Sequence, residues 1–216
     1  MAEPYQTEEE QVQAIKDWWK ENGKAVIAGL LIGLGAIGGW RWWVDHQKTR
    51  SEQASLIYAQ VIDAAARGAV DEATRDGQQI LEQYAGTPYA TLTALLLARS
   101  AVEKGDVATA AVRLQWVIDN GIDDGFRTLA RLRLARVRLQ QGQPEAALSL
   151  LGKGPEPGFA TLFSEVRGDA YRAQDKPALA AAEYRKALLD GKLNGELRRQ
   201  IEMKLNEVAA AAGEAA

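Results

Sequence analysis

The chain has 216 residues, with 26 Lys and Arg against 29 Asp and Glu and a formal net charge of −3. That balance argues against a nucleic-acid binder, which carries a clustered basic surface. The lack of cysteine excludes thiol catalysis, disulfides and cysteine-ligated zinc, and one histidine, His46, supports neither a multi-histidine metal site nor a Ser-His-Asp triad.

Residues 1–24 form a short acidic tail that ends near Trp18 and Trp19. An uncharged run follows, Ala25 to Trp40, and it continues through Trp42, Trp43 and Val44 with Arg41 as its one charge. A long arginine stem can snorkel toward an interface. At about 1.5 Å of rise per residue, residues 25–44 make a helix roughly 30 Å long, the thickness of a bilayer core. Five of the 6 tryptophans flank it, Trp18 and Trp19 before and Trp40, Trp42 and Trp43 after, as interfacial anchors do. A cleaved signal peptide has a short basic start and a small-residue cleavage site, whereas this leader is acidic and the run ends in Trp-Arg-Trp-Trp. Gly33 to Gly38 matches G-x-G-x-x-G, but that fingerprint needs a preceding strand in a βαβ unit, and here it lies inside a membrane-length apolar run. Residues 25–44 therefore read as a transmembrane signal anchor. Gly29 with Gly33, and Gly35 with Gly39, are small-xxx-small pairs and candidate helix–helix contacts. Lys16, Lys20 and Lys24 before the span balance Arg41, Lys48 and Arg50 after it, so charge leaves the orientation open.

No Gly or Pro occurs from Trp40 to Arg67, so residues 45–67 read as a stalk running into a first repeat helix. From 68 to 190 the chain is periodic. Gly68, Gly105, Gly142 and Asp175 recur at nearly equal intervals, and each is followed at the fifth position by alanine: Ala73, Ala110, Ala147 and Ala180. A period of about 34 residues with helix–turn–helix content indicates a helical solenoid. The turn residues supply a left-handed backbone between antiparallel helices. Pro144 and Pro177 fall in the first turn of a second helix, where a missing N–H costs nothing. The alanines mark close helix–helix contact, with Ala98 and Ala135 expected opposite Ala110 and Ala147. Leu114, Leu151 and Tyr184 fill the next layer. Val61 and Gly77 break the size pattern, so the first unit is expected to pack irregularly. Gly152 to Gly158 reads as a loop. Residues 191–216 read as a capping helix with a stripe of Leu197, Ile201, Leu205 and Val208, and a tail fraying from Ala209.

These units resemble the tetratricopeptide repeat over roughly Ser51 to Ala187. The best match is the last unit, Gly168-Asp169-Ala170-Tyr171 through Ala180, Tyr184 and Ala187. The expected fold class is all-α: a single N-terminal transmembrane helix, then a tetratricopeptide-like hairpin solenoid with a C-terminal capping helix. The whole layout, from acidic leader through Trp18-Trp19, Gly-rich span and Trp42-Trp43 to the repeats, resembles the YfgM family of ancillary SecYEG translocon subunits. The resemblance implies a bacterial inner-membrane protein with a cytoplasmic N-terminus and a periplasmic repeat domain. It implies association with SecYEG and with PpiD, a membrane-anchored chaperone, and a role in passing newly translocated polypeptide to periplasmic chaperones.

A helical-repeat solenoid binds extended peptide or a partner helix along the face built from the first helix of each pair. The repeat register places Leu92, Leu95, Leu96, Arg99, Val102 and Glu103 there from the second unit. Leu129, Leu132, Arg133, Arg136 and Leu139 come from the third, and Leu162, Glu165, Val166, Asp169 and Arg172 from the fourth. Some of these leucines must serve the core. Arg99, Arg133 and Arg136 are the sharper candidates, because charges have no packing reason to be inside. The plain alternative for Arg127, Arg131, Arg133, Arg136 and Arg138 is a solvated face with ion pairs to Asp123, Asp124 or Glu103. No P-loop, HExxH or converging carboxylate pair is present, so neither enzymatic activity nor a cofactor is expected. Two other functions remain compatible with these residues: a structural scaffold for another envelope complex, and a cytoplasmic signalling adaptor in the inverted topology.

Overall fold

In the computed structural model, which describes residues 8–152, 154, 158–190 and 193–214, the described residues form nine α-helices and no strand. The long helix α1 spans Glu8–Ala66. It is followed by α2 (Val70–Gln83), α3 (Pro88–Glu103), α4 (Val107–Asn120), α5 (Asp124–Gln140), α6 (Pro144–Leu151), α7 (Ala160–Ala173), α8 (Pro177–Leu188) and α9 (Gly195–Glu214). The chain divides into two compact units, Met1–Arg50 and Ser51–Ala216.

In the first unit the helix is already formed at Glu8, within the acidic leader, and continues without a break through the apolar run. It passes the length and composition test for a membrane span. Its apolar side chains are not core: Leu30, Leu31 and Ile32 are 63–72% exposed. All five flanking tryptophans are exposed too, with Trp40 and Trp43 in contact at 5.4 Å between ring centroids and Trp42 stacked on His46 at 5.5 Å. A Cβ added at Gly29, Gly33, Gly35 or Gly39 meets nothing within 4 Å, so both glycine pairs lie on open helix surface.

The second unit is a stack of helical hairpins. Its turns repeat at the level of single hydrogen bonds. Gly68, Gly105, Gly142 and Asp175 have φ of 73°, 78°, 70° and 60°. At each, the residue after the turn donates back into the last turn of the preceding helix: Ala69 to Ala64, Asp106 to Ala101, Gln143 to Arg138 and Lys176 to Tyr171, at 2.8–3.0 Å. These are Schellman closures, which satisfy carbonyls orphaned at a helix end. Helix starts have equally local causes. Pro88, Pro144 and Pro177 open α3, α6 and α8. The Asp106 carboxylate accepts from Thr109 N at 3.0 Å and that of Asp123 from Phe126 N at 2.9 Å. The Asn194 side chain accepts from Leu197 N at 2.8 Å to start α9.

The alanines expected at the helix contacts are buried. Ala98 and Ala110 are buried in one apolar cluster, and Ala135 and Ala147 in the next. Leu114, Leu151 and Tyr184 are buried in the following layer. Three clusters succeed one another along the stack, one from α1 to α5, one from α5 to α7, and one holding α8 against α9. Each is built by neighbours only, the arrangement of a solenoid. In the first hairpin Val61 occupies the small-residue position and is fully buried there. Gly77 lets Leu97 fill the space on the other side of α2: a Cβ there would lie 2.8 Å from Leu97 Cδ1. Ile201 and Val208 are buried under α9, with Leu197 and Leu205 partly buried beside them, as a capping stripe requires. Helix α9 runs on to Glu214 instead of fraying at Ala209, since its alanines are the strongest helix formers. Of the expected loop, residues 153 and 155–157 lie outside the described residues, while Gly152, Gly154 and Gly158 are non-helical.

Candidate polypeptide-binding clefts

Two contiguous clefts open on the side of the stack formed by the odd-numbered helices. The first, about 470 Å³, lies between α3 and α5 and is lined by Arg99, Val102, Glu103, Arg133, Arg136 and Gln140, with Ala98, Leu114 and Val137 as its apolar floor. The second, about 920 Å³, lies between α5, α7 and α9 and is lined by Arg136, Leu139, Gln140, Glu165, Asp169, Arg172, Lys204 and Glu207, among others. Arg136 and Gln140 belong to both. The spacing explains the grouping: Arg99 and Glu103, like Arg136 and Gln140, are four apart and share a helix face.

Of the residues the repeat register points to, Arg99, Glu103, Arg133, Arg136, Leu139, Asp169 and Arg172 line these clefts. Leu92 and Leu96 do not. Both are half-buried, and Leu96 packs against the first apolar cluster. Leu95, Leu132 and Val166 are core.

The electrostatics differ between the two clefts. In the second, cations and anions interlock. Glu165 is only 6% exposed and accepts from Arg136 Nη2 at 3.1 Å and Lys204 Nζ at 2.7 Å. Lys204 also donates to Asp169 Oδ2 at 2.9 Å, and the other Asp169 oxygen accepts from the Tyr184 hydroxyl at 2.8 Å. Burial, then the hydrogen bond to Asp169, push the Tyr184 phenol well above its ordinary pKa. Arg172 pairs with Glu207 at 2.9 Å. A buried carboxylate needs such partners to remain charged.

In the first cleft Arg99 pairs with Glu103 at 2.7 Å. Arg133 makes no hydrogen bond or ion pair with any described residue. Burial, and the positive charges of Arg136 and Arg99, hold its pKa below the usual guanidinium value. The ion pairs expected for the α5 arginines are thus formed in part. Arg127 pairs with Asp124 at 2.6 Å, but Asp123 serves as a helix cap, Arg131 lies over the Phe163 ring, and Arg138 donates to Gln141 and Gln143. Lys204 and Glu207, on the capping helix, are cleft residues that the repeat register did not indicate.

The tetratricopeptide repeat-like domain family matches this chain over residues 16–210, spanning the apolar segment and the whole stack. A protein of Escherichia coli (strain K12) named ancillary SecYEG translocon subunit is 32% identical over 210 residues, covering 96% of this chain and 99% of that protein. The chain belongs to the ancillary SecYEG translocon subunit family. Relatives of the same name in Haemophilus influenzae and Neisseria gonorrhoeae are 32% and 27% identical, each over 93% of this chain and 97% of their own length. The family resemblance read from the tryptophan-flanked span and the repeats therefore holds across the full layout.

Proposed function

We propose that this chain is a single-pass inner-membrane accessory subunit of a SecYEG translocon, with a cytoplasmic N-terminus and a periplasmic repeat domain that holds polypeptides as they emerge. The observation that carries this reading is the co-linear match, along 96% of the chain, to a protein named as a translocon subunit, so that anchor and repeats are shared together. The exposed tryptophan-flanked segment supplies the tether. The paired clefts supply a long, partly apolar, partly charged trough of the kind that receives extended segments. The reading extends to transfer of newly translocated chains to periplasmic chaperones, with a PpiD-type membrane-anchored chaperone as partner. It assigns no catalytic step and no cofactor.

Alkaline phosphatase fused after Ala216 is active if the repeat domain is exported. Photo-crosslinkers at Gly29 and Gly35, on open surface of the apolar helix, should yield adducts with translocon membrane helices. An inactive fusion sinks the topology, and adducts with unrelated membrane proteins alone sink the translocon association. Unfolded polypeptide should bind the full-length protein in nanodiscs, whereas a pure scaffold leaves it free.

A further inference from the structure

The α3–α5 cleft carries one positive charge that no described residue neutralises. Arg99 is matched by Glu103 and Arg136 by Glu165. In the neighbouring cleft Arg136, Arg172 and Lys204 face Glu165, Asp169 and Glu207, so that surface is balanced within itself. The excess therefore falls on Arg133, which lines the cleft beside Val102 and Val137. A guanidinium offers five donors in a planar fork and no acceptor, a shape matched by a carboxylate. Arg133 is exposed to water and lies in the field of Arg136 and Arg99, so its fork is open to an arriving anion.

We propose that Arg133 receives the side-chain carboxylate of an internal aspartate or glutamate in an extended polypeptide, while an adjacent aliphatic side chain of the same segment fills the apolar floor at Ala98, Leu114 and Val137. This rests on the polypeptide-binding reading and narrows it to acidic–aliphatic segments. Charge complementarity selects one carboxylate, since one cation is unmatched. A volume of about 470 Å³ suits a few side chains and not a folded surface. The two clefts share Arg136 and Gln140, so a chain seated at Arg133 has a continuing path. A polypeptide still in translocation has not yet exposed its C-terminus, so the carboxylate it presents is an internal one.

Full-length protein in nanodiscs is titrated with a fluorescent peptide, acetylated and amidated, with a central Leu-Glu-Val. A Leu-Gln-Val counterpart and a Leu-Gln-Val peptide with a free C-terminal carboxylate serve as comparisons. The Glu peptide should bind about tenfold more tightly than the capped Gln peptide, as a charge-assisted pair predicts, and added salt should shrink the gap. Arg133→Gln should abolish the gap without lowering Tm, because Arg133 is exposed and makes no hydrogen bond or ion pair with a described residue. Arg133→Lys should keep part of it, losing the fork but not the charge. Equal affinity of the two capped peptides, or a gap that survives Arg133→Gln, overturns the assignment while leaving polypeptide binding intact. Tight binding of the free-terminus peptide alone replaces the internal carboxylate with a chain end. No binding of any peptide removes the polypeptide-binding reading along with it.

Discussion

The ring of Tyr184 on α8 lies directly against the backbone of Gly168 on α7: a Cβ at 168 would fall 2.6 Å from Tyr184 Cδ1 and closer still to Cε1. The ring cannot swing away, since it is fully buried and its hydroxyl donates to Asp169 at 2.8 Å. Gly168→Ala should therefore destabilise the stack by about 2 kcal/mol, overpacking outweighing the gain of roughly 1 kcal/mol in helix propensity. Thermal unfolding of the variant should show a Tm lower by about 5 °C. An unchanged Tm would mean that α7 and α8 separate freely, and the close approach would not be a structural constraint.

The same ring gives the fold an alkaline limit. Burial raises the Tyr184 pKa above its ordinary value near 10, and the phenol of Tyr58 is raised by burial as well. The unfolded chain then releases these protons at a lower pH than the folded one. The stability contributed by the neutral phenols is complete below about pH 10 and is lost as pH rises through that value toward the higher folded pKa. For the fully buried Tyr184 the loss reaches about 1.4 kcal/mol per pH unit while its phenol stays protonated only in the folded chain. The half-buried Tyr58 adds less, because water screens it. Urea unfolding of the wild type at stepped pH above 10 should show this decline. Tyr184→Phe should show a shallower one, together with lower stability at neutral pH from the lost hydrogen bond. Parallel curves for the two proteins would rule Tyr184 out as the source.

Lys204 ties the capping helix to the stack through two carboxylates, Glu165 and Asp169, on one face of α7. Glu165 is almost wholly out of water, so Lys204→Met leaves it with Arg136 alone. The expected cost is about 2 kcal/mol, less than for a carboxylate stripped of every partner. Amide exchange in α9 should accelerate before exchange in α5 and α7. The coupling is read from a cycle with Glu165→Gln, in which the double variant loses less than the two singles together. Simple additivity would show that the Lys204–Glu165 pair does not hold the cap, leaving that to the buried Ile201 and Val208 and to the other ion pairs of α9.

The turns and the close contacts were legible because their causes are local. A glycine or short polar residue must sit where φ is positive, and an alanine must follow where helices touch, so Gly68, Gly105, Gly142 and Asp175 announce the hairpins. Ordered apolar spacing likewise announces α9. The division of labour among arginines was not legible. Arg133 and Arg136 are three apart on one helix and look alike in sequence. What separates them is Glu165, which reaches Arg136 from α7 and does not reach Arg133. Lys204 was missed for a related reason, since its partners lie 35 and 39 residues away and helix periodicity does not say which faces meet across that separation. Leu92 and Leu96 show the converse: their helix face was identified, but the core claimed part of it.

Asp175 is the one turn residue in the series that is not glycine, and its φ of 60° is the left-handed conformation that costs a side-chain-bearing residue most. It closes the α7–α8 turn with its backbone alone: its N–H donates to the Arg172 carbonyl at 3.0 Å, and its side chain makes no hydrogen bond with a described residue. Asp175→Gly removes the Cβ strain while loosening the unfolded chain, and the first effect is the larger at a left-handed position. Stability should rise by about 0.5 kcal/mol, read as a higher urea midpoint with an unchanged m-value. Asp175→Ala keeps the Cβ in a left-handed conformation that alanine adopts less readily than aspartate, and should fall below the wild type. If Gly and Ala shifted the midpoint in the same direction, backbone conformation would not be what selects the residue at this turn.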